Sequence, residues 1–150
     1  IFIRDEEIYV DTSFAVEGAG RPLTCHDMGR VDEEGMLYFL GRREDQYHIK
    51  GNHVSRQKVL SHLLMLPGVE EGEVIGEKQA NGDDRLIAFL SGQVPASDAR
   101  LMSLLAGRLR AWEIPHRILR VASIPKTSTG KTDRKRLLAM AEAVSLECGK

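Results

Sequence analysis

Residues 69–91 narrow the possible folds more than any other stretch. Two strand-like runs, 69–78 (VEEGEVIGEK) and 85–91 (RLIAFLS), flank an Asn-Gly-Asp-Asp turn. That arrangement predicts a β-hairpin. Helical patterns lie on both sides of it. Val59, Leu60, Leu63, Leu64 and Leu66 recur at helical spacing. Ser55 is placed to cap that helix over 56–65, and Pro67-Gly68 ends it. Downstream, Ser97 or Asp98 caps a second helix over 99–110, with Leu101, Leu104, Leu105 and Leu109 apolar. A strand at 117–123, a loop at 125–132 (PKTSTGKT) and a terminal helix of about ten residues opened by Asp133 follow. Short strands at 47–50 and 53–54, around a turn at Gly51-Asn52, come before. The order from residue 47 is β-β-α-β-β-α-β-α. It predicts an α+β domain with a short mixed or antiparallel sheet covered by helices.

Residues 1–41 have another character. Strands are predicted at 7–16 and 36–40, with a turn-rich stretch at 17–24 and a VDEEG turn closed by Gly35. These strands offer too little apolar surface to stand alone. The charged link GRREDQ, beginning at Gly41, is the expected boundary. The chain starts at Ile1 and runs almost directly into strand-like residues, so a piece of something longer is expected. No apolar run approaches the ~20 residues of a membrane span. IFIRDEEIYV carries acidic residues where the apolar centre of a signal peptide would lie. Cys25 and Cys148 are too few for a disulfide framework or a four-ligand zinc site, so no metal site is expected and the cytoplasm is the expected compartment.

Charge is divided unevenly. Residues 1–99 carry 10 Lys/Arg against 18 Asp/Glu, and residues 100–136 carry 10 against 2. A basic segment suits an anionic partner, or the acidic half of the same chain. Nucleic acid is disfavoured, because Trp112 is the one aromatic in that segment and no recognition motif is present. STGKT at 128–132 looks like the end of a phosphate-binding P-loop. Pro125 stands at the first glycine of that motif and has no N–H to offer, and only 18 residues follow Thr132. What remains is a small Ser/Thr/Gly loop ending in one ammonium, Lys131. Such a loop can set a point charge against a carboxylate or phosphate. The alternative is a surface lysine before a helix.

The loop sits in a longer pattern. HDMGRVDEEGMLYFLGRREDQYHIKGNHVS, HLLMLPGVEEGEVIG and WEIPHRILRVASIPKTSTGKTDRKRLL follow one another in order. Over roughly residues 6–138 the chain resembles the end of the adenylate-forming ligases: acyl- and aryl-CoA synthetases, peptide-synthetase adenylation domains and luciferases. The resemblance implies that 1–41 end a large N-terminal domain, as strands of its β-subdomain. It implies that 42–150 form its small, mobile C-terminal lid. It implies an enzyme that joins a carboxylic acid to ATP, with Mg, as an acyl-adenylate. The enzyme would then pass the acyl group to the thiol of CoA or a carrier-protein phosphopantetheine. ATP and Mg would be held mainly by the upstream domain, and this chain alone would be nearly inactive.

By the same resemblance, Asp27 stands where the family's aspartate holds the ribose hydroxyls, which suits a group that accepts two hydrogen bonds. Arg42 matches the arginine near ribose and phosphate. Glu44 falls at the hinge, where Asp or Lys is usual. Gly51 belongs to the loop that enters the site for thiol transfer, and His53 replaces that loop's usual Arg or Lys. Lys131 matches the catalytic lysine, which would offset charge developing on the carboxylate and α-phosphate. Three further departures stand out: Cys25-His26 in place of Thr-Gly before Asp27, Arg56 in place of Pro or Leu, and Lys58 in place of Glu. The last two, with His53, cluster at the thiol-transfer loop and bear on CoA use. Two other functions stay open at this point: a lid acting in trans with a separate large domain, and a basic nucleic-acid-binding module.

Overall fold

The computed structural model describes residues 1–13 and 22–147, without the side chains of Cys25 and residues 145–147. Parts of the strand predicted at 7–16 and of the turn-rich stretch at 17–24, and Cys148, lie outside the described residues. The chain divides into two compact units, Ile1–Gln46 and Tyr47–Lys150.

The first unit is an antiparallel meander of β1 (Phe2–Arg4), β2 (Glu7–Val10), β3 (Leu23–Val31) and β4 (Leu37–Arg42), in that spatial order. Asp5 and Glu6 join β1 to β2 with φ of 51° and 62°. Two left-handed residues make the turn whose twist matches the flanking strands. Between β3 and β4, the Asp32 carboxylate accepts from the backbone N–H groups of Glu34 at 3.0 Å and Met36 at 2.9 Å. This local bonding is what favours Asp in turns. The sequence pattern misses β1 and most of β3. LTCHDMGRV does not alternate, and the pairing explains why: Glu7 faces Met28 and Tyr9 faces Thr24, so Cys25, His26 and Asp27 lie against Ile8 alone. The extra residues form a bulge, which breaks the period of two.

The hairpin β5 (Gln46–Ile49) and β6 (Asn52–Ser55) enters the second unit at Tyr47, its turn formed by Lys50 and Gly51 instead of Gly51-Asn52. Ser55 caps α1 (Arg56–Leu64), its hydroxyl accepting from Lys58 N at 3.4 Å. The main sheet has the order β7 (Val69–Lys78), β8 (Asp84–Gly92), β9 (Arg117–Arg120). β7 and β8 are the antiparallel hairpin, and β9 runs parallel to β8. A parallel pair needs a crossover, and α2 (Asp98–Ala106) supplies it. The helix stops four residues short of the predicted Arg110: Gly107 is its C-cap, still in the right-handed region, and Arg108 N tightens the turn back to Leu105 O at 2.9 Å. α3 (Arg134–Glu147) closes the order.

β8 is covered on both faces. Leu86, Ala88 and Leu90 join a core with Val59 and Leu63 of α1 and Leu101 and Leu105 of α2. Ile87 and Phe89 join another with Ile124 and with Leu137 and Ala141 of α3. An unbroken LIAFL run is what a strand buried on two faces requires. This is a small α+β fold with a mixed sheet and, among the described residues, three α-helices.

Candidate functional site

In the first unit, Asp27 and Arg42 are cross-strand partners of β3 and β4. Arg42 Nε lies 3.8 Å from Asp27 Oδ1, and Arg42 Nη1 lies 4.0 Å from Glu44 Oε1. Glu44 sits in the 3-10 turn Arg43–Asp45 that leaves β4. His26, Arg42, Arg43 and Glu44 line a cleft of about 390 Å³. The three residues singled out here by sequence therefore come together: the Asp27 carboxylate, the Arg42 guanidinium and Glu44 within the charged link.

Sequence reasoning missed the group beneath them. Glu7 is 2% exposed. Its carboxylate accepts from Thr24 Oγ1, from Arg43 Nη1 at 2.7 Å and from His26 Nδ1 at 2.8 Å. The Thr24 hydroxyl, with help from Arg43 and His26, outweighs burial and holds the Glu7 carboxyl below its ordinary range. An acid in an exposed-looking EIYV strand gave no signal of this. His26 has φ 59°. The resembling pattern has glycine there, and the backbone shows why: this is the left-handed region.

In the second unit, PKTSTGKT is a tight β-loop. Lys126 and Thr132 bridge its stem, Thr127 N donates to Lys131 O at 2.7 Å, and Gly130 N donates to Thr127 O at 2.9 Å. Gly130 takes φ 81°, as such a turn demands. Asp133 Oδ1 accepts from Arg136 N at 3.0 Å and caps α3. Lys131 is exposed and enters none of the ion pairs found among the described residues. The backbone is thus fixed while its ammonium stays in solvent.

Gly51 has φ 76°, and a Cβ there would meet nothing within 4 Å. Its demand is conformational, not steric. His53 packs its ring edge-on against His48 across the same hairpin, centroids 4.3 Å apart. Arg56 and Lys58 prove to be structural. Arg56 makes two bonds to Glu73, Nε to Oε1 at 2.8 Å and Nη2 to Oε2 at 2.7 Å. Lys58 Nζ meets both Glu113 oxygens, at 2.7 and 2.9 Å. Both partners are buried carboxylates. A second cleft, of about 450 Å³, opens beside this hairpin, lined among others by Lys50, Arg85, Trp112 and His116. Burial first, then Arg85 and Arg117, hold the His116 imidazole below its ordinary pKa. Among the described residues, no three His, Cys, Asp or Glu converge as a metal site, and no helix is long and apolar enough to cross a membrane.

Comparison with known proteins gives a consistent result. Residues 59–131 match the family described as AMP-binding enzyme C-terminal domain. The L-allo-isoleucine:holo-CmaA peptidyl-carrier-protein ligase of Pseudomonas savastanoi pv. glycinea is 37% identical over 88% of this chain and 23% of its own length. Acetyl-coenzyme A synthetase of Gemmatimonas aurantiaca is 32% identical over 95% of the chain and 23% of its own length. The chain thus spans under a quarter of these relatives, and only 3% of the chondramide synthase cmdD of Chondromyces crocatus, to which it is 32% identical. Among solved structures, o-succinylbenzoate CoA synthetase from Bacillus subtilis, in complex with its acyl-adenylate intermediate, superposes with a TM-score of 0.65. That match has 30% identity and covers 77% of this chain and 24% of the other.

Proposed function

Residues 59–131 belong to the AMP-binding enzyme C-terminal domain family, and from that premise we propose that this chain is the C-terminal part of an AMP-forming acid–thiol ligase. Residues 42–150 act as the lid, residues 1–41 end the large domain, and Glu44 marks the hinge. The large domain supplies most of the ATP and Mg site and the acid pocket. Asp27 accepts from the ribose hydroxyls and Arg42 contacts ribose and phosphate. Their pairing in register across two strands supports this, because it presents an acceptor and a cationic donor side by side.

One observation carries the proposal: an exposed lysine on a backbone-fixed loop, in a chain with this family's C-terminal domain. Lys131 Nζ bridges the substrate carboxylate and the α-phosphate. It offsets the charge that builds up as the carboxylate attacks and pyrophosphate leaves. The β5–β6 hairpin then serves the second half-reaction, with Gly51 at the thiol's approach and His53 beside it. The acceptor is CoA or a carrier-protein phosphopantetheine. The Arg56–Glu73 and Lys58–Glu113 pairs remove one objection to this step, since both cations are engaged in the fold and do not crowd the loop with free charge.

The test uses the full-length protein. Lys131→Ala lowers acid-dependent ATP–pyrophosphate exchange at least about 100-fold, while thiol attack on preformed acyl-adenylate stays near wild type. Equal loss in both half-reactions would overturn the assignment. Gly51→Leu meets no neighbour but must hold φ 76°, a strain of about 1 kcal/mol that melting checks; it does the reverse, slowing thioester formation more than exchange. Unchanged thioester formation counts against the hairpin's role.

A further inference from the structure

We propose that His26 is a nucleotide-contacting residue, accepting a hydrogen bond from a ribose hydroxyl, with Glu7 as its positioning residue. The inference rests on the adenylation reading above and adds a residue to that site. Its first support is the bulge. Cys25, His26 and Asp27 lie against one residue of β2, and His26 takes φ 59°, so the strand's alternation is broken where the ribose-binding aspartate sits. Bulges next to active sites commonly re-aim a side chain. Holding a β-bearing residue in the left-handed region costs about 1 kcal/mol, which a glycine would avoid.

The second support is the tautomer. Glu7 is buried, and its carboxyl is held below the ordinary range by Thr24, Arg43 and His26, so it is an anion that only accepts. His26 Nδ1, at 2.8 Å from Glu7 Oε1, must therefore carry the proton. In the neutral ring Nε2 is then the acceptor. The third support is place: the His26 side chain is exposed, lining the same cleft as Arg42, the cross-strand partner of Asp27. The sugar is the part of a nucleotide rich in hydroxyl donors. Asp27 and His26 together offer it two kinds of acceptor, one anionic and one neutral.

The experiment compares wild type, His26→Gly and Glu7→Gln in the full-length protein, with ATP and with 2′-deoxy- and 3′-deoxy-ATP. Glycine suits φ 59°, so His26→Gly keeps the fold, and melting checks this. The expected result is a roughly 5- to 10-fold rise in KM for ATP, the scale of one hydrogen bond. The kcat of exchange stays near wild type, and the rise disappears with one of the two deoxy analogues. Glu7→Gln, which cannot accept from all its partners, shows the same analogue-selective rise. An unchanged KM for ATP overturns the contact. So does a rise equal for ATP and both analogues, which would instead place the imidazole on phosphate. Calorimetric Kd values for the same nucleotides are measured in parallel. Wild-type protein that binds ATP without acid-dependent exchange sinks the ligase reading, while the Kd pattern still decides His26. Wild-type protein that binds no ATP sinks both.

Discussion

Glu7, Glu73, Asp84 and Glu113 are carboxylates withdrawn from water, and each meets a cation. A buried charge is tolerated when paired and costs several kcal/mol when its partner is removed. Arg56→Ala leaves Glu73, 2% exposed, without its two-bonded guanidinium. The expected loss is about 3 kcal/mol, read by denaturant unfolding; a loss within the error of the measurement would show that water replaces the arginine. Glu113 gives a pH signature. Burial pushes its carboxyl up, but the Lys58 ammonium and the Arg110 backbone N–H outweigh that, and the net shift is downward from 4.5. The unfolded chain therefore binds the proton first as pH falls. The pair's stabilisation is present above about pH 4.5 and disappears as pH drops through the folded value. Glu113→Gln should flatten the acid limb of stability against pH. An acid limb identical to wild type would mean other carboxylates set it. The Lys58–Glu113 pair could not be read from sequence, since its members are 55 positions apart.

At the scale of elements, the legible parts were those whose pattern comes from burial or local capping. RLIAFLS announced a strand, which its unbroken LIAFL run buries on two faces, and Ser55, the Ser97-Asp98 pair and Asp133 announced three helix starts. β3 was lost because a bulge replaced its alternation. α2 was drawn too long because Leu109 continues the helical spacing after the backbone has left the helix at Gly107; Leu109 is nevertheless buried. The proposed site residues Asp27, Arg42, Glu44, Gly51, His53 and Lys131 come from family resemblance, whereas the Glu7–Thr24 contact needed the fold. Tyr47 also needed it. Its hydroxyl donates to Val74 O at 3.1 Å, and its ring covers Gly76, where a Cβ would fall 2.5 Å from Tyr47 Cδ1. The ring is buried and tethered, so it cannot retreat. Gly76→Ala should cost about 1–3 kcal/mol, the range of an overpacked core, measured by thermal unfolding. Full stability in this variant would show that β5 can shift away from β7.

Across the whole molecule, burial is divided as unevenly as charge. Of the buried apolar residues described, Met28 lies in Ile1–Gln46 and all the others lie in Tyr47–Lys150. The first unit instead exposes Phe2, Val31 and the run Met36–Leu40, with Phe39 63% exposed. Hydrophobic stabilisation follows the apolar area removed from water, so the four-stranded sheet has little of it in this chain. The second unit carries two cores on one sheet and resists opening as a whole. Native-state hydrogen exchange on the isolated chain should therefore separate the two. Amides of β1 to β4 exchange through low-energy openings, and those of β7 and β8 exchange only at the free energy of global unfolding. The same contrast bears on the proposed function, because a lid that alternates between two half-reactions has to remain folded while it moves. Uniform protection across both units would mean that they unfold together, and an independently folded lid would then no longer follow from the distribution of the core.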